Sequence, residues 1–160
     1  MPVDFLGLGE ETKEDLVGLA QDIVQYFGLG CRSISKVYLP EGYDLNNIFG
    51  ALYPHANLMD SAKYANNYDY NKAVHLMNQE KLLDNNFVLL KETKLLSSPL
   101  GMLYYHFYDD VDEVNSYCEE HKDSIQCRVG AGGLSFGSAQ SPKLNDYADN
   151  VDTMQWLNSL

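Results

Sequence analysis

Cys31 is the residue of this sequence whose type and surroundings point most directly to chemistry. It follows Gly28 and Gly30 in a short turn, and the cation Arg32 comes directly after it. A cysteine becomes a nucleophile when its pKa falls beside a cation, near a helix N-terminus or among converging backbone amides. Glycines let the backbone approach a substrate closely. The alternative is a free cysteine packed as a small apolar side chain, and spacing alone leaves both interpretations open.

Two groups of candidate metal ligands lack the spacing that a metal site needs. Cys118, His121 and Cys127 have no fourth ligand nearby, as structural zinc would require. The acidic run at 109–113 does not follow a calcium-loop pattern. We therefore expect packed cysteines, a solvated helix start at the acidic run, and no metal.

The glycine-rich stretches predict turns and not nucleotide sites. Gly7 and Gly9 lack the third glycine of a dinucleotide fingerprint, and a strand before them is doubtful. Gly130–Gly133 lacks the Gly-Lys-Ser/Thr ending of a phosphate loop.

A cluster of tyrosines and asparagines has no clear assignment. Such rings can line a pocket, or cover an interface while their hydroxyls stay in water, and the sequence does not decide between the two. Its members are Tyr64, Asn66, Asn67, Tyr68 and Tyr70.

Composition limits the classes of function. The chain has 160 residues and a formal net charge of −12, and such a field repels phosphate backbones and anionic bilayers. We therefore expect no nucleic-acid partner and, without an apolar run of about 18 residues, no membrane span. Three cysteines, an odd number, and the lack of a secretory signal predict a cytoplasmic location.

Helix and strand patterns alternate along the chain, which predicts an α/β fold, a layered sheet with flanking helices. Thr12 is a candidate N-cap for a helix over 13–27, which Gly28 would end. The strand at 100–108 is apolar on both faces, which suits a central position. Further strands are predicted at 33–39, 87–90 and 124–129, with helices over 45–52, the second half of 61–78, 109–121 and a docked helix in the last twenty residues.

Three stretches, in this order, resemble acyl-CoA reductases of the LuxC-like kind, which belong to the aldehyde dehydrogenase superfamily. The first is Tyr26–Pro40 (YFGLGCRSISKVYLP). It is similar to the superfamily's nucleophile segment, a Gly-Gln-x-Cys followed by small residues, a basic residue and a strand. The others are Lys63–Asn78 (KYANNYDYNKAVHLMN) and Asp146–Thr153 (DYADNVDT). The resemblance spans almost the whole chain.

The resemblance implies an aldehyde-dehydrogenase-like catalytic domain and an oxidoreductase activity, the NADPH-dependent reduction of a fatty acyl-CoA to a fatty aldehyde. Cys31 would attack the thioester and hold the acyl group, and hydride from NADPH would release the aldehyde. Backbone amides beside Gly30 and Cys31, with Arg32 next to them, are candidates for stabilising the oxyanion. Glu92 is the candidate for cofactor binding, although it is out of register with the family's Glu-x-Phe-Gly-Pro segment, of which only Pro99 matches.

Family members are longer, with a nucleotide-binding domain largely upstream of the cysteine. The resemblance therefore implies that residues 1–160 are a single α/β domain, the C-terminal half of such an enzyme. NADPH would be bound mainly by a region missing from this chain. A homo-oligomer or a partner polypeptide could supply that half, and we expect little reductase turnover from this chain alone.

Two other functions remain open. A cysteine acyltransferase or thioesterase would act without a nicotinamide but needs a general base, and none of His55, His75, His106 and His121 has a diagnostic spacing to Cys31. A non-catalytic binding or assembly module would use the tyrosine and asparagine cluster as an interface.

Overall fold

A mixed β-sheet, with helices packed against it, forms the centre of the molecule. The computed structural model describes residues 3–7, 9–144, 146–147 and 151–159. In these residues one sheet has the strand order β3-β4-β5-β2-β1-β6, and neighbouring strands are parallel except for β3 and β4. The strands are β1 Val3–Leu6, β2 Ile34–Pro40, β3 Leu83–Asp84, β4 Leu89–Glu92, β5 Met102–Tyr108 and β6 Cys127–Gly130.

The helices cover both faces of the sheet, which is the layered α/β architecture that the alternating pattern predicts. The α-helices are α1 Lys13–Val24, α2 Asn46–Leu52, α3 Ala62–Met77, α4 Val111–Glu120 and α5 Thr153–Asn158. Short 3-10 segments span Tyr53–Asp60 and Lys122–Ser124, and a turn with non-helical backbone angles spans Gln25–Gly28.

The two faces of the sheet have different cores because successive side chains of a strand point to opposite sides. On one face Val37 and Leu39 of β2 pack in the main core, together with residues of α1 and α2. On the other face Tyr38 packs against Val114 and Cys118 of α4. Each fully buried leucine contributes about 2 kcal/mol of apolar transfer free energy, so both layers are held mainly by burial.

Helix α1 begins as predicted and ends early. Thr12 and Asp15 form a capping box, in which the Asp15 N–H donates to Thr12 Oγ1 at 3.2 Å and the Thr12 N–H donates to Asp15 Oδ2 at 2.9 Å. The predicted end at residue 27 is wrong, because Tyr26 and Phe27 have left-handed backbone angles that cannot continue the helix. Phe27, which the periodicity places on the apolar stripe, is 45% exposed.

The first strand corrects the sequence analysis, which doubts a strand before Gly7. Val3–Leu6 is a strand between β2 and β6. Its second residue, Asp4, is 1% exposed. A carboxyl group at a core position hides the apolar pattern by which a buried strand is usually found.

Helix α3 also extends beyond its prediction. It includes the first half of the 61–78 stretch, where Tyr64, Tyr68 and Asn71 form its buried side. These residues recur at helical spacing, but their polar hydroxyl and amide groups make the buried side of the helix hard to recognise in the sequence. The predicted strand at 100–108 is confirmed as a central strand, since β5 lies between β4 and β2.

The C-terminal helix is present but is not docked. None of the residues of α5 is buried, and Trp156 is 53% exposed. Helix length explains the difference, because Thr153–Asn158 is less than two turns and offers little apolar face. No helix of the described residues is long and apolar enough to span a bilayer.

Candidate active site at the cysteine turn

The chain reaches Cys31 through an unusual backbone. After α1, three consecutive residues, Tyr26, Phe27 and Gly28, have φ values of 55°, 60° and 73°. The left-handed region costs roughly 1 to 2 kcal/mol for a residue with a side chain, and such residues cluster at functional sites. The turn that follows spans Gly30 to Ser33 and is closed by the Ser33 N–H, which donates to the Gly30 carbonyl at 3.0 Å.

This turn exposes one side chain and anchors its neighbours. Cys31 is exposed, whereas Arg32 and Ser33 are 7% and 9% exposed. Within the described part of the chain, no acceptor is paired with the backbone N–H of Gly30 or of Cys31. The arrangement therefore offers an accessible thiol beside two free amide donors, the kinds of group that a nucleophile and an oxyanion site use.

The Gly130–Ser141 loop packs against the turn. Gln140 donates through Nε2 to the Ser33 hydroxyl at 3.1 Å. A Cβ at Gly30 would lie 2.5 Å from that same nitrogen. A side chain at position 30 would therefore displace the Gln140 amide from its place beside Ser33.

Asp22 holds this loop on α1. It is fully buried and accepts the N–H groups of Gly137 at 2.8 Å and Ala139 at 3.1 Å. Burial raises the pKa of the Asp22 carboxyl, against the opposing effect of the two backbone hydrogen bonds. The carboxyl thus fixes the loop that in turn positions Gln140.

The guanidinium of Arg32 is directed toward the C-terminal segment. It donates to the Asp146 carbonyl at 3.4 Å and lines a cavity of about 340 Å³ with Cys127, Tyr147 and Asp152. Burial raises the pKa of the Cys127 thiol, while Arg32 opposes the shift. The Arg32 side chain is therefore directed away from the turn, and only its backbone lies next to Cys31.

Glu92 lies on another strand of the sheet than the one that follows the cysteine turn. It is exposed at the carboxyl end of β4, level in the strand register with Tyr105 and Val37. Cys31 precedes β2, at the amino end of the sheet. The structure does not bring these two predicted site residues together.

None of the four histidines is part of the cysteine turn. His75 pairs with Glu80, and His121 stacks on Tyr117. Burial lowers the pKa of His106, which lies on β5. His55 lines an open groove of about 680 Å³ beside Tyr26 and Phe27.

The tyrosine and asparagine cluster is divided by α3. Tyr64 and Tyr68 are buried, and their hydroxyls donate to the Phe87 carbonyl at 3.0 Å and to Asp84 Oδ1 at 2.7 Å. Tyr70 is 67% exposed, and Asn66 and Asn67 are exposed as well. The two buried tyrosines are therefore structural.

Two residues from the groups that lack metal-site spacing, Cys118 and Asp110, have structural roles. Cys118 packs in the core under α4, and Asp110 caps α4 by accepting the Asp112 N–H at 2.9 Å. Among the described residues, no three histidine, cysteine or acidic side chains are grouped as a metal site would need.

Asp22 and Gln140 are the site residues that sequence analysis missed. Asp22 carries a signal in the sequence, because it lies at helical spacing from Leu19 on the buried side of α1, where an acid needs donors. Gln140 has no local signal, since its contact joins residues 107 positions apart.

No protein-family model matches the sequence, and no curated protein matches it either.

Proposed function

We propose that this chain supplies the acyl-accepting cysteine of a fatty acyl-CoA reductase and that Cys31 is the nucleophile. The observation that carries the proposal is the exposure of Cys31 on a turn whose flanking residues Gly30, Arg32 and Ser33 are held in place. An exposed thiol held in a fixed position can reach a substrate, whereas a cysteine that serves only for packing is buried.

The proposed acyl-transfer step uses the exposed thiol and the free amides of the turn. The Cys31 thiolate attacks the thioester carbonyl carbon, a new carbon–sulfur bond forms, and the oxyanion is stabilised by the free N–H groups of Gly30 and Cys31. When the tetrahedral adduct collapses, the bond to coenzyme A breaks and its thiolate leaves. The acyl group then remains on Cys31 as a thioester. Reduction of this thioester to the aldehyde by NADPH belongs to the same proposal, and no residue described here is assigned to it.

Exposed apolar side chains near the turn support a fatty substrate. Tyr26, Phe27 and Leu29 are 62%, 45% and 71% exposed, and the first two border the groove that contains His55. An exposed apolar surface of this kind often marks a binding site, and an acyl chain attached at Cys31 would cover it.

Transfer of label from radioactive dodecanoyl-CoA tests the proposal. The wild-type chain and Cys127→Ser should take up label that hydroxylamine releases, and Cys31→Ser should take up none. Preserved labelling in Cys31→Ser refutes the assignment. Release of the label as aldehyde only when NADPH and a nucleotide-binding half are added would separate a reductase from an acyltransferase or thioesterase, which release it without a nicotinamide.

A further inference from the structure

A second polar site lies on the face of the sheet that α4 covers. Lys36 and Tyr38 of β2, His106 of β5 and Tyr117 of α4 line a cavity of about 360 Å³. Its wall continues to Asp109, just past the carboxyl end of β5. One end of the cavity thus reaches the carboxyl end of β5, outside which open α/β sheets commonly bind ligands.

Lys36 is the unusual member of this site. It is only 1% exposed, and lysine is almost never fully buried unless it is paired. Its Nζ lies 4.8 Å from the centre of the Tyr38 ring and 5.8 Å from that of Tyr117. In the residues that the structure describes, no acidic group forms a salt bridge with it. Burial lowers the pKa of Lys36 to about 8, although the Asp4 carboxyl opposes the shift.

Two unpaired polar groups lie next to this amine. Asp4 is the partner of Lys36 in the register of β1 and β2 and is 1% exposed. Neither its carboxyl oxygens nor the buried hydroxyl of Tyr38 has a hydrogen-bond partner among the described groups. Burial raises the pKa of Asp4 to about 7, while Lys36 and Arg128 oppose the shift. Keeping such groups unpaired in a core is costly, which is typical of positions retained for function.

We propose that Lys36 is a nucleophilic amine and that the cavity admits a small aldehyde or ketone, which Lys36 binds covalently as an imine. The neutral amine attacks the carbonyl carbon, and the nitrogen–carbon bond forms a carbinolamine. In the carbinolamine one amine proton has moved to the oxygen. Protonation by a carboxylic acid lets this hydroxyl leave as water, an iminium forms, and its N–H proton returns to the carboxylate to give the imine, with no change in oxidation state. Asp4, beside Lys36, is the carboxyl placed to donate the proton that the departing oxygen needs.

The groups that face Lys36 from other elements favour a neutral amine near pH 8. Lys94, which follows β4, lowers the pKa of Lys36, and Cys118 of α4 would raise it only as a thiolate. Burial raises the pKa of Cys118, so its thiol stays neutral. Burial also lowers the pKa of His106, so its imidazole adds no charge to the cavity at neutral pH. The site thus combines a buried carboxyl, Asp4, with an amine whose pKa burial lowers.

Reductive trapping with propanal tests the proposal on the wild-type chain. The protein is treated at pH 7.5 with limiting propanal and sodium cyanoborohydride, and the propylated lysines are located by peptide mapping. Lys94 is the matched control, because it lines the same cavity but is exposed. We expect Lys36 to be propylated at least about ten times faster than Lys94, because the lowered pKa of Lys36, about 8, leaves a substantial fraction of its amine neutral at pH 7.5. Equal rates, or propylation confined to exposed lysines, would overturn the proposal.

Two variants sharpen the test. Lys36→Met should lose the fast propylation and leave that of Lys94 unchanged. Asp4→Asn removes the carboxyl that favours the charged amine, so the pH at which Lys36 is half-maximally propylated should move down. A shift upward contradicts the role given to Asp4. If either variant fails to fold, the ratio of the two lysines in the wild-type chain decides.

Discussion

Gln140 donates a hydrogen bond to the hydroxyl of Ser33 at 3.1 Å, and the same amide lies against Gly30. A loop near the C-terminus therefore holds both ends of the turn whose exposed residue is Cys31. Because Asp22 fixes that loop on α1, the position of the thiol depends on three distant parts of the chain.

Gly30→Ala should weaken the fold and disturb the turn. The new Cβ would lie 2.5 Å from Gln140 Nε2, so the amide must move and give up its bond to Ser33. We expect a loss of about 1 kcal/mol in the free energy of unfolding, the usual worth of one hydrogen bond, measured by urea denaturation. In the background of Gln140→Ala the same change should cost clearly less. An equal cost in both backgrounds contradicts the contact.

Asp22→Ala should release the loop at 130–141. The change leaves the buried N–H of Ala139 without its acceptor and also frees that of Gly137. An unsatisfied buried donor costs about 1 to 3 kcal/mol. We expect a loss of that size in the free energy of unfolding and faster proteolysis within the loop. Asp22→Asn keeps one acceptor oxygen and serves as the milder control. A variant as stable and protease-resistant as the wild type would contradict the role of Asp22.

Iodoacetamide should alkylate the three cysteines at different rates. At pH 7.5 we expect Cys31 to react first because it is exposed, and Cys127 and Cys118 to follow at least about tenfold more slowly. Burial raises the pKa of both slower thiols, so fewer of them are thiolates. Peptide mapping over time measures the three rates. An inert Cys31 would favour the non-catalytic assembly module.

Asp4→Asn should change how stability depends on pH. The pKa of Asp4 is raised from 3.8 to about 7 in the folded protein, so the folded state binds this proton more tightly than the unfolded state. The contribution of Asp4 is complete below pH 3.8 and is lost as the pH rises to about 7. Across this window the wild type should lose on the order of 4 kcal/mol relative to Asp4→Asn. Urea titrations from pH 4.5 to about 8 measure the difference, and parallel curves for the two proteins would contradict it.

The sequence predicts most of the elements but not their polar connections. The capping box of Thr12 and the left-handed Gly28 follow from local rules, and so does the central strand β5. Local rules do not predict strand β1, because Asp4 interrupts its apolar pattern. The end of α1 escapes them because the left-handed angles of Tyr26 and Phe27 are not encoded in side-chain periodicity.

The candidate site is predicted only in part for the same reason. The residue types at Gly30 and Cys31 reveal a reactive turn in the sequence. The support from Asp22 and Gln140 depends on contacts between distant residues, which spacing cannot show. The Lys36 cavity was missed because its residues come from separate strands and a helix, and only the sheet register brings them together.

The most direct measurement is the location of an acyl group after the chain reacts with dodecanoyl-CoA. The protein is digested without reductant, and the acylated peptide is identified by mass spectrometry before and after hydroxylamine. The predicted result is one hydroxylamine-labile dodecanoyl group on the peptide that contains Cys31, with one equivalent of free coenzyme A released. An acyl group on Cys127, on a lysine or on no residue at all would contradict the central claim.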